Sequence, residues 1–245
     1  AKNYKMLIGD NGRGFKKNNI DIHIANSDCS GAGFSTNELK SMVSDAINNY
    51  WNQVPTSSLF LKSKGISSTI DIDGDDFDDA ILKVPKNTIV AGCNDDVPDF
   101  VSASILGAAV MKCTGNDCTA ILILNANNSS LNNMSKKERI AVIAHELGHA
   151  IGLGHSEFTH NLMYYSASGK KQNWLGEDDI DGVSYLYPHD PELAGLFGSC
   201  GTIEDINKPN YLFWLQFLLG LFLTSFLGNR QFLNKFSKGP WKKTS

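Results

Sequence analysis

Residues 145 to 155 read HELGHAIGLGH, in which His145, Glu146, His149 and His155 stand at spacings that suit one metal ion. On a helix turning about 100° per residue, His145 and His149 lie about 40° apart, one turn above the other, so both imidazoles reach the same point. Glu146 falls beside that face, where a carboxylate can take a proton from a water next to the metal. Gly152 can leave the helix in a conformation closed to other residues and swing His155 back from the opposite side. Three neutral imidazoles with a fourth position open to water mark a catalytic rather than a structural zinc site. With six histidines and 22 glycines among 245 residues, HExxHxxGxxH arises by chance roughly once in a hundred thousand such chains. One zinc ion is therefore expected on His145, His149 and His155, with Glu146 as the general base.

The elements that must position these residues are legible at moderate resolution. A capping box of Ser135 and Glu138 opens the helix that carries Ile140, Val142, Ile143 and Leu147 toward His149. An earlier helix, capped by Ser35 or Thr36, places Leu39, Val43, Ala46, Ile47 and Tyr50 at helical spacing. Glu177 to Leu186 predicts a third, with Glu177, Asp178 and Asp179 at the positive end of its dipole. Strand patterns run from Ile20 to Ala25, Leu59 to Lys62, Ile89 to Ala91, Ile105 to Met111 and Thr119 to Leu124, the last two forming a hairpin. These predict an α+β domain with a five-stranded sheet.

A chain of 245 residues with 42% apolar content buries one sizeable core, so a single domain with appendages is expected. Residues 228 to 245 carry Arg230, Lys235, Lys238, Lys242 and Lys243 and no acid, leaving 17 basic residues against 26 acidic ones in the rest. A body of that sign lacks the clustered cations that phosphate contacts need, which excludes nucleic acid as a partner. Nothing indicates an oligomer.

Among the five cysteines no zinc-ribbon spacing occurs. Cys113 and Cys118 flank the polar loop Thr114 to Asp117 and face each other across the predicted hairpin, within reach of a disulfide. That bond predicts an oxidising compartment, and a start at Ala1 rather than Met fits a removed export signal. Cys29, Cys93 and Cys200 leave one further pair and one odd thiol, with three pairings open.

Two segments depart from the globular average. Asp71 to Asp79 holds six aspartates in nine positions, a solvated loop or a calcium site on Asp71, Asp73 and Asp75. The spacing of an EF-hand is not completed there, because Asp76 stands where the turn glycine belongs. Tyr211 to Leu227 is uncharged and apolar for 17 residues, about 25 Å as a helix, which predicts a transmembrane span. The basic tail after it stays in the cytoplasm by the positive-inside rule, leaving the catalytic domain outside. The expected organisation is a catalytic domain over 1–190, a linker over 191–210, the span over 211–227 and the tail over 228–245.

The stretch HELGHAIGLGHSEFTHNLMYY resembles the zinc signature and Met-turn of the matrixin branch of metzincins, with Ser156 after the third histidine and Met163 eight residues beyond His155. LGEDDIDGVSYLYP resembles the C-terminal helix of that family. The resemblance implies a metzincin fold with a twisted five-stranded sheet and two long helices. Below the cleft it implies a lower part built from the Met-turn and C-terminal helix, with Met163 as the apolar floor beneath the metal. It implies a zinc-dependent endopeptidase acting on protein or peptide substrates. The disulfide and the C-terminal span, outside the resemblance, predict export to the cell surface or periplasm with anchoring at the C-terminus.

The chain departs from the family pattern in places. Tyr165 stands two places after Met163, where matrixins usually carry proline. Related metzincins have a tyrosine at that spacing that approaches the zinc, so Tyr165 either stabilises the oxyanion or forms a wall of the specificity pocket. The family's additional structural zinc needs more histidines than the scattered His23, His160 and His189 supply. Cys93, in AGCNDDVPD, is faintly similar to a cysteine switch but lies inside the domain. Two rival readings fit the residues less well. A binding module that kept zinc and lost catalysis would show damage at Glu146. A membrane-embedded protease would carry the motif inside an apolar span, whereas Ser135, Lys136, Lys137, Glu138 and Arg139 precede it here.

Overall fold

The computed structural model describes residues 14–94, 100, 104–166 and 174–189. All lie in the first of the chain's two units, Ala1–Phe197. Strands β1 (Asn19–Ile24), β2 (Phe60–Ile66), β3 (Thr88–Asn94), β4 (Gly107–Thr114) and β5 (Asp117–Asn125) form one sheet in the order β2-β1-β3-β5-β4. The β1–β2, β1–β3 and β3–β5 pairs are parallel, and only β4 runs antiparallel, as an edge strand against β5. This is the expected α+β architecture. The ladders extend β2 through Ser63, Gly65 and Ile66, with Lys64 bulged between the Ile22 and His23 pairs, and extend β3 through Gly92, Cys93 and Asn94.

Alternation in β1 buries Ile20, Ile22 and Ile24. Helix α1 (Thr36–Asn49) is opened by the Ser35 capping box and turns Leu39, Met42, Val43, Ala46 and Ile47 into the same core. Interior strand β5 is buried on both faces from Ala120 onward. Ala120, Leu122 and Leu124 join the core of α1, of the short α3 (Ser129–Asn133) through Leu131, and of α4 (Lys136–Ala150), while Ile121 and Ile123 join a second cluster with Ile70, Ile72, Ala80, Ile81 and Val84.

That second cluster corrects the reading of the aspartate-rich segment. Instead of a bare loop, it contains helix α2 (Phe77–Leu82), whose N-cap Asp76 accepts the Asp79 N–H at 2.8 Å. Asp71 accepts the N–H of Asp73, and the Lys83 ammonium donates to the Asp71 carbonyl at 2.8 Å and to Asp75 at 2.5 Å. Asp71, Asp75 and Asp76 are thus engaged as turn, ion-pair and cap partners in a segment that covers the far face of the sheet.

The hairpin is tighter than the expected four-residue loop. Thr114 and Asp117 pair in the ladder, so the turn is Gly115 and Asn116, with Gly115 at φ +62°. Directly beside it Cys113 and Cys118 are cross-strand partners joined by a disulfide, Cα–Cα 4.1 Å. A second disulfide joins Cys29 to Cys93, Cα–Cα 5.2 Å, which settles one of the pairings left open. Among the described residues no helix is long and apolar enough to cross a membrane. The expected linker, span and tail over 191–245 lie outside the described residues, as does Cys200.

Candidate metal centre

Helix α4 starts at the predicted Ser135–Glu138 capping box and carries His145, Glu146 and His149 in its last turns. Its end is a sharp reversal. Gly152 adopts φ +108° and donates its N–H to the His149 carbonyl at 2.9 Å, while the Leu153 N–H reaches the Gly148 carbonyl at 2.9 Å. The buried hydroxyl of Tyr187 supports this reversal by donating to the Ile151 carbonyl at 2.8 Å and accepting the Phe15 N–H at 2.9 Å. Burial raises that phenol well above the usual tyrosine range. The returning chain delivers His155, as the spacing predicted.

The three imidazoles converge. Their ligand atoms all lie within 4.8 Å of one another, and Nε2 of His149 stands 3.1 Å from Nε2 of His155. His145 donates its Nδ1–H to the Leu162 carbonyl at 2.7 Å, and His149 donates its Nδ1–H to the Leu153 carbonyl at 2.7 Å. A carbonyl can only accept, so both rings hold their proton on Nδ1 and present an Nε2 lone pair to the common point. Burial lowers His149 to about 4, which keeps this ring neutral. Neutral, pre-oriented nitrogens facing one point repel unless a cation lies between them, so the donor set fits zinc. Among the described residues it is the one group of three or more histidine, cysteine or acidic side chains that converges in this way; Asp71, Asp73 and Asp75 do not form another.

Glu146 is 7% exposed, and desolvation pushes its carboxyl up to about 8. A nearby dication opposes that shift. Glu146 and the histidines open onto a cleft of about 880 Å³ between α4 and the start of β4. Gly107 of β4 lies close to Glu146, since a Cβ there would come 3.4 Å from the Glu146 Cγ. Tyr165 lines the cleft rim, 68% exposed, its ring centroid 6.4 Å from that of His155, and its side chain is hydrogen-bonded to Tyr164.

Met163 is buried against α4. A Cβ on Gly148 would meet its Sδ at 2.3 Å and Trp51 Cζ2 at 2.9 Å, so only glycine lets the sulfur lie there. The turn carrying Met163 is held from α5 (Glu177–Leu186) by residues that had been read only as helix-dipole partners. Asp179, 1% exposed, accepts the N–H groups of Leu162 at 2.6 Å, Met163 at 3.0 Å and Gly176 at 2.7 Å. Asp178 accepts the Ser156 hydroxyl at 2.6 Å and the Asn161 amide at 3.0 Å. Asp178, Asp179, Asn161 and Gly148 were missed because their partners come from other elements; only the acidic start of α5 hinted at them. Cys93, bonded to Cys29 and buried, is not available to the metal centre.

A helix bearing two metal-facing histidines and a buried carboxylate, a glycine reversal delivering a third histidine, and a methionine turn packed below define the metzincin class of zinc site. Comparison of sequences narrows this further. The matrixin family model matches residues 15–188, and the chain belongs to that family. It is 41% identical to the metalloendoproteinase 2-MMP of Arabidopsis thaliana over 65 residues, 26% of this chain and 17% of that protein. It is 47% identical to matrix metalloproteinase-9 of Canis lupus familiaris over 51 residues, 21% of this chain and 7% of that one. Against interstitial collagenase of Oryctolagus cuniculus it is 52% identical over 48 residues, 19% and 10% of the two chains. The matched stretch thus spans less than a fifth of each of these relatives.

Proposed function

We propose that this chain is a zinc-dependent endopeptidase that hydrolyses internal peptide bonds of protein substrates. The observation that carries the reading is the pair of Nδ1–H donations from His145 and His149, which aim both Nε2 lone pairs at the point His155 also reaches, with Glu146 buried beside them. Zinc held there supplies Lewis-acid polarisation of the scissile carbonyl and a more acidic water. Glu146, buried beside that point, would take the proton of the attacking water and return it to the leaving nitrogen. Edge strand β4 runs along the cleft and offers backbone groups to an extended peptide, which adds to the sheet as a further strand. A binding module that keeps zinc without turnover fits less well, because Glu146 is intact and buried at the site.

Two disulfides among the described residues support export to an oxidising compartment. A membrane anchor at 211–227 rests on sequence alone, and fractionation of the full chain tests it: recovery as a soluble protein with that segment present rejects the anchor. For the chemistry, the test is Glu146→Ala. Zinc content near one per chain with cleavage reduced by about two to four orders of magnitude is expected; full turnover rejects the assignment.

A further inference from the structure

The reversal after α4 serves two ligands at once. Beyond Gly152 the chain brings up His155, and on the way the Leu153 carbonyl accepts the Nδ1–H of His149 at 2.7 Å. Gly152 and Leu153 donate their N–H groups back to the carbonyls of His149 and Gly148, which closes the helix end. The carbonyl of Ile151 lies in the bend itself. It accepts the hydroxyl of Tyr187, the C-cap of α5, at 2.8 Å.

A hydroxyl carries one proton, so Tyr187, having donated to Ile151, meets Phe15 as an acceptor of its N–H at 2.9 Å. One oxygen thus joins the reversal to the segment that precedes β1. Both sides of the joint are fixed. The Tyr187 ring is fully buried, and its carbonyl accepts the Ser58 N–H at 2.9 Å. Phe15 is buried as well, and three residues on, Asn18 donates its amide to the Ser58 hydroxyl at 2.8 Å while its carbonyl accepts the Phe60 N–H at 2.7 Å. Gly14 closes the gap between them. A Cβ on Gly14 would stand 2.3 Å from the Tyr187 hydroxyl and 2.9 Å from the Ile151 carbonyl, and a Cβ on Gly152 would stand 3.3 Å from Gly14 Cα.

We infer that Tyr187 is a positioning residue of the metal centre, holding the reversal through the Ile151 carbonyl so that His149 keeps its orientation and His155 its place, with Gly14 and Phe15 holding Tyr187 in turn. This rests on the zinc site and not on the cleavage reaction. Without the hydroxyl, the buried Ile151 carbonyl and Phe15 N–H both lose their partner, a cost that the backbone relieves by turning toward another. Gly152, which has no Cβ, resists such a turn least, and the Leu153 carbonyl moves with it.

Two readouts follow ligand placement without activity: zinc affinity of the full chain by competition with a chromophoric chelator, and the visible ligand-field spectrum of the Co(II)-substituted protein. Tyr187→Phe keeps the ring and is expected to weaken zinc about tenfold, the low end for the outer partner of a ligand, and to alter the Co(II) bands. Gly14→Ala, which displaces the hydroxyl but keeps it, should act in the same direction. Ile72→Ala opens a cavity in the second cluster, across the sheet from the reversal, so it lowers stability and should leave both readouts unchanged. By linkage, zinc should slow hydrogen exchange of the Phe15 amide in the unmodified protein more than that of the Asn26 amide, which is bonded to the Ile70 carbonyl. That comparison decides the matter if neither variant folds. Unchanged zinc affinity and spectrum in folded Tyr187→Phe or Gly14→Ala, an equal loss in Ile72→Ala, or equal slowing of the two amides overturns the positioning role and leaves the zinc site standing. Failure of the unmodified protein to bind zinc overturns both.

Discussion

The Nδ1–H of His145 is held by the carbonyl of Leu162 at 2.7 Å, and the same residue's N–H is held by Asp179 at 2.6 Å. The first metal ligand is therefore oriented by a carboxylate on a different helix, through the backbone of Leu162. Asp179→Ala leaves three buried N–H groups without their acceptor. A loss of about 3 kcal/mol in unfolding free energy is expected from the charged hydrogen bonds. Zinc affinity should fall about ten- to a hundredfold, as when the outer partner of a ligand is removed. Denaturant unfolding and zinc titration read the two effects. Unchanged zinc affinity would show that Leu162 keeps its place without Asp179.

Gly148→Ala places a methyl group where the Met163 sulfur and the Trp51 ring already lie. Trp51 is pinned by its Nε1–H to the Ala144 carbonyl at 2.9 Å and cannot easily give way. Overpacking of this kind costs about 1–3 kcal/mol. Thermal unfolding measures it, and the double variant with Met163→Ala should recover part of the loss, because it vacates the closer of the two contacts. No recovery would place the strain on Trp51 alone.

These two positions show where the sequence stopped being readable. His145, Glu146, His149, Gly152 and the Ser135–Glu138 box are local patterns whose meaning lies within one helix and its reversal, and they were legible outright. Asp179 differs: in the sequence it is one of three acids at a helix start, and its burial depends on a turn sixteen residues away. Helix α2 was hidden for a related reason. Its charged first turn masks Ala80 and Ile81, and their role appears only when Ile121 and Ile123 of the sheet lie beneath them. The Cys29–Cys93 bond joins residues 64 apart and becomes choosable only once β1 and β3 are neighbours.

The same separation sets what each disulfide contributes. In the chain-entropy account the 64-residue Cys29–Cys93 bond is worth about 4 kcal/mol, and the short Cys113–Cys118 loop only about 2 kcal/mol. Replacing Cys29 and Cys93 together by alanine should thus lower unfolding free energy more than replacing Cys113 and Cys118. Denaturant unfolding of the two double variants compares them, and the reverse order would show that hairpin order near β4 matters more than loop closure.

Tyr165 separates two roles that sequence left open. A donor that stabilises the oxyanion is worth about a hundred- to a thousandfold in kcat, whereas a pocket wall acts through its ring and changes mainly KM. The Tyr165 side chain is hydrogen-bonded to Tyr164, and the ring is largely exposed at the cleft rim. That arrangement favours the wall. Tyr165→Phe keeps the ring and removes the hydroxyl, so kcat should stay within about threefold, well below the loss expected for an oxyanion donor. Tyr165→Ala removes the ring and should raise KM for peptides filling that side of the cleft. A drop in kcat of about a hundredfold in Tyr165→Phe, with KM unchanged, would instead assign the hydroxyl to the transition state.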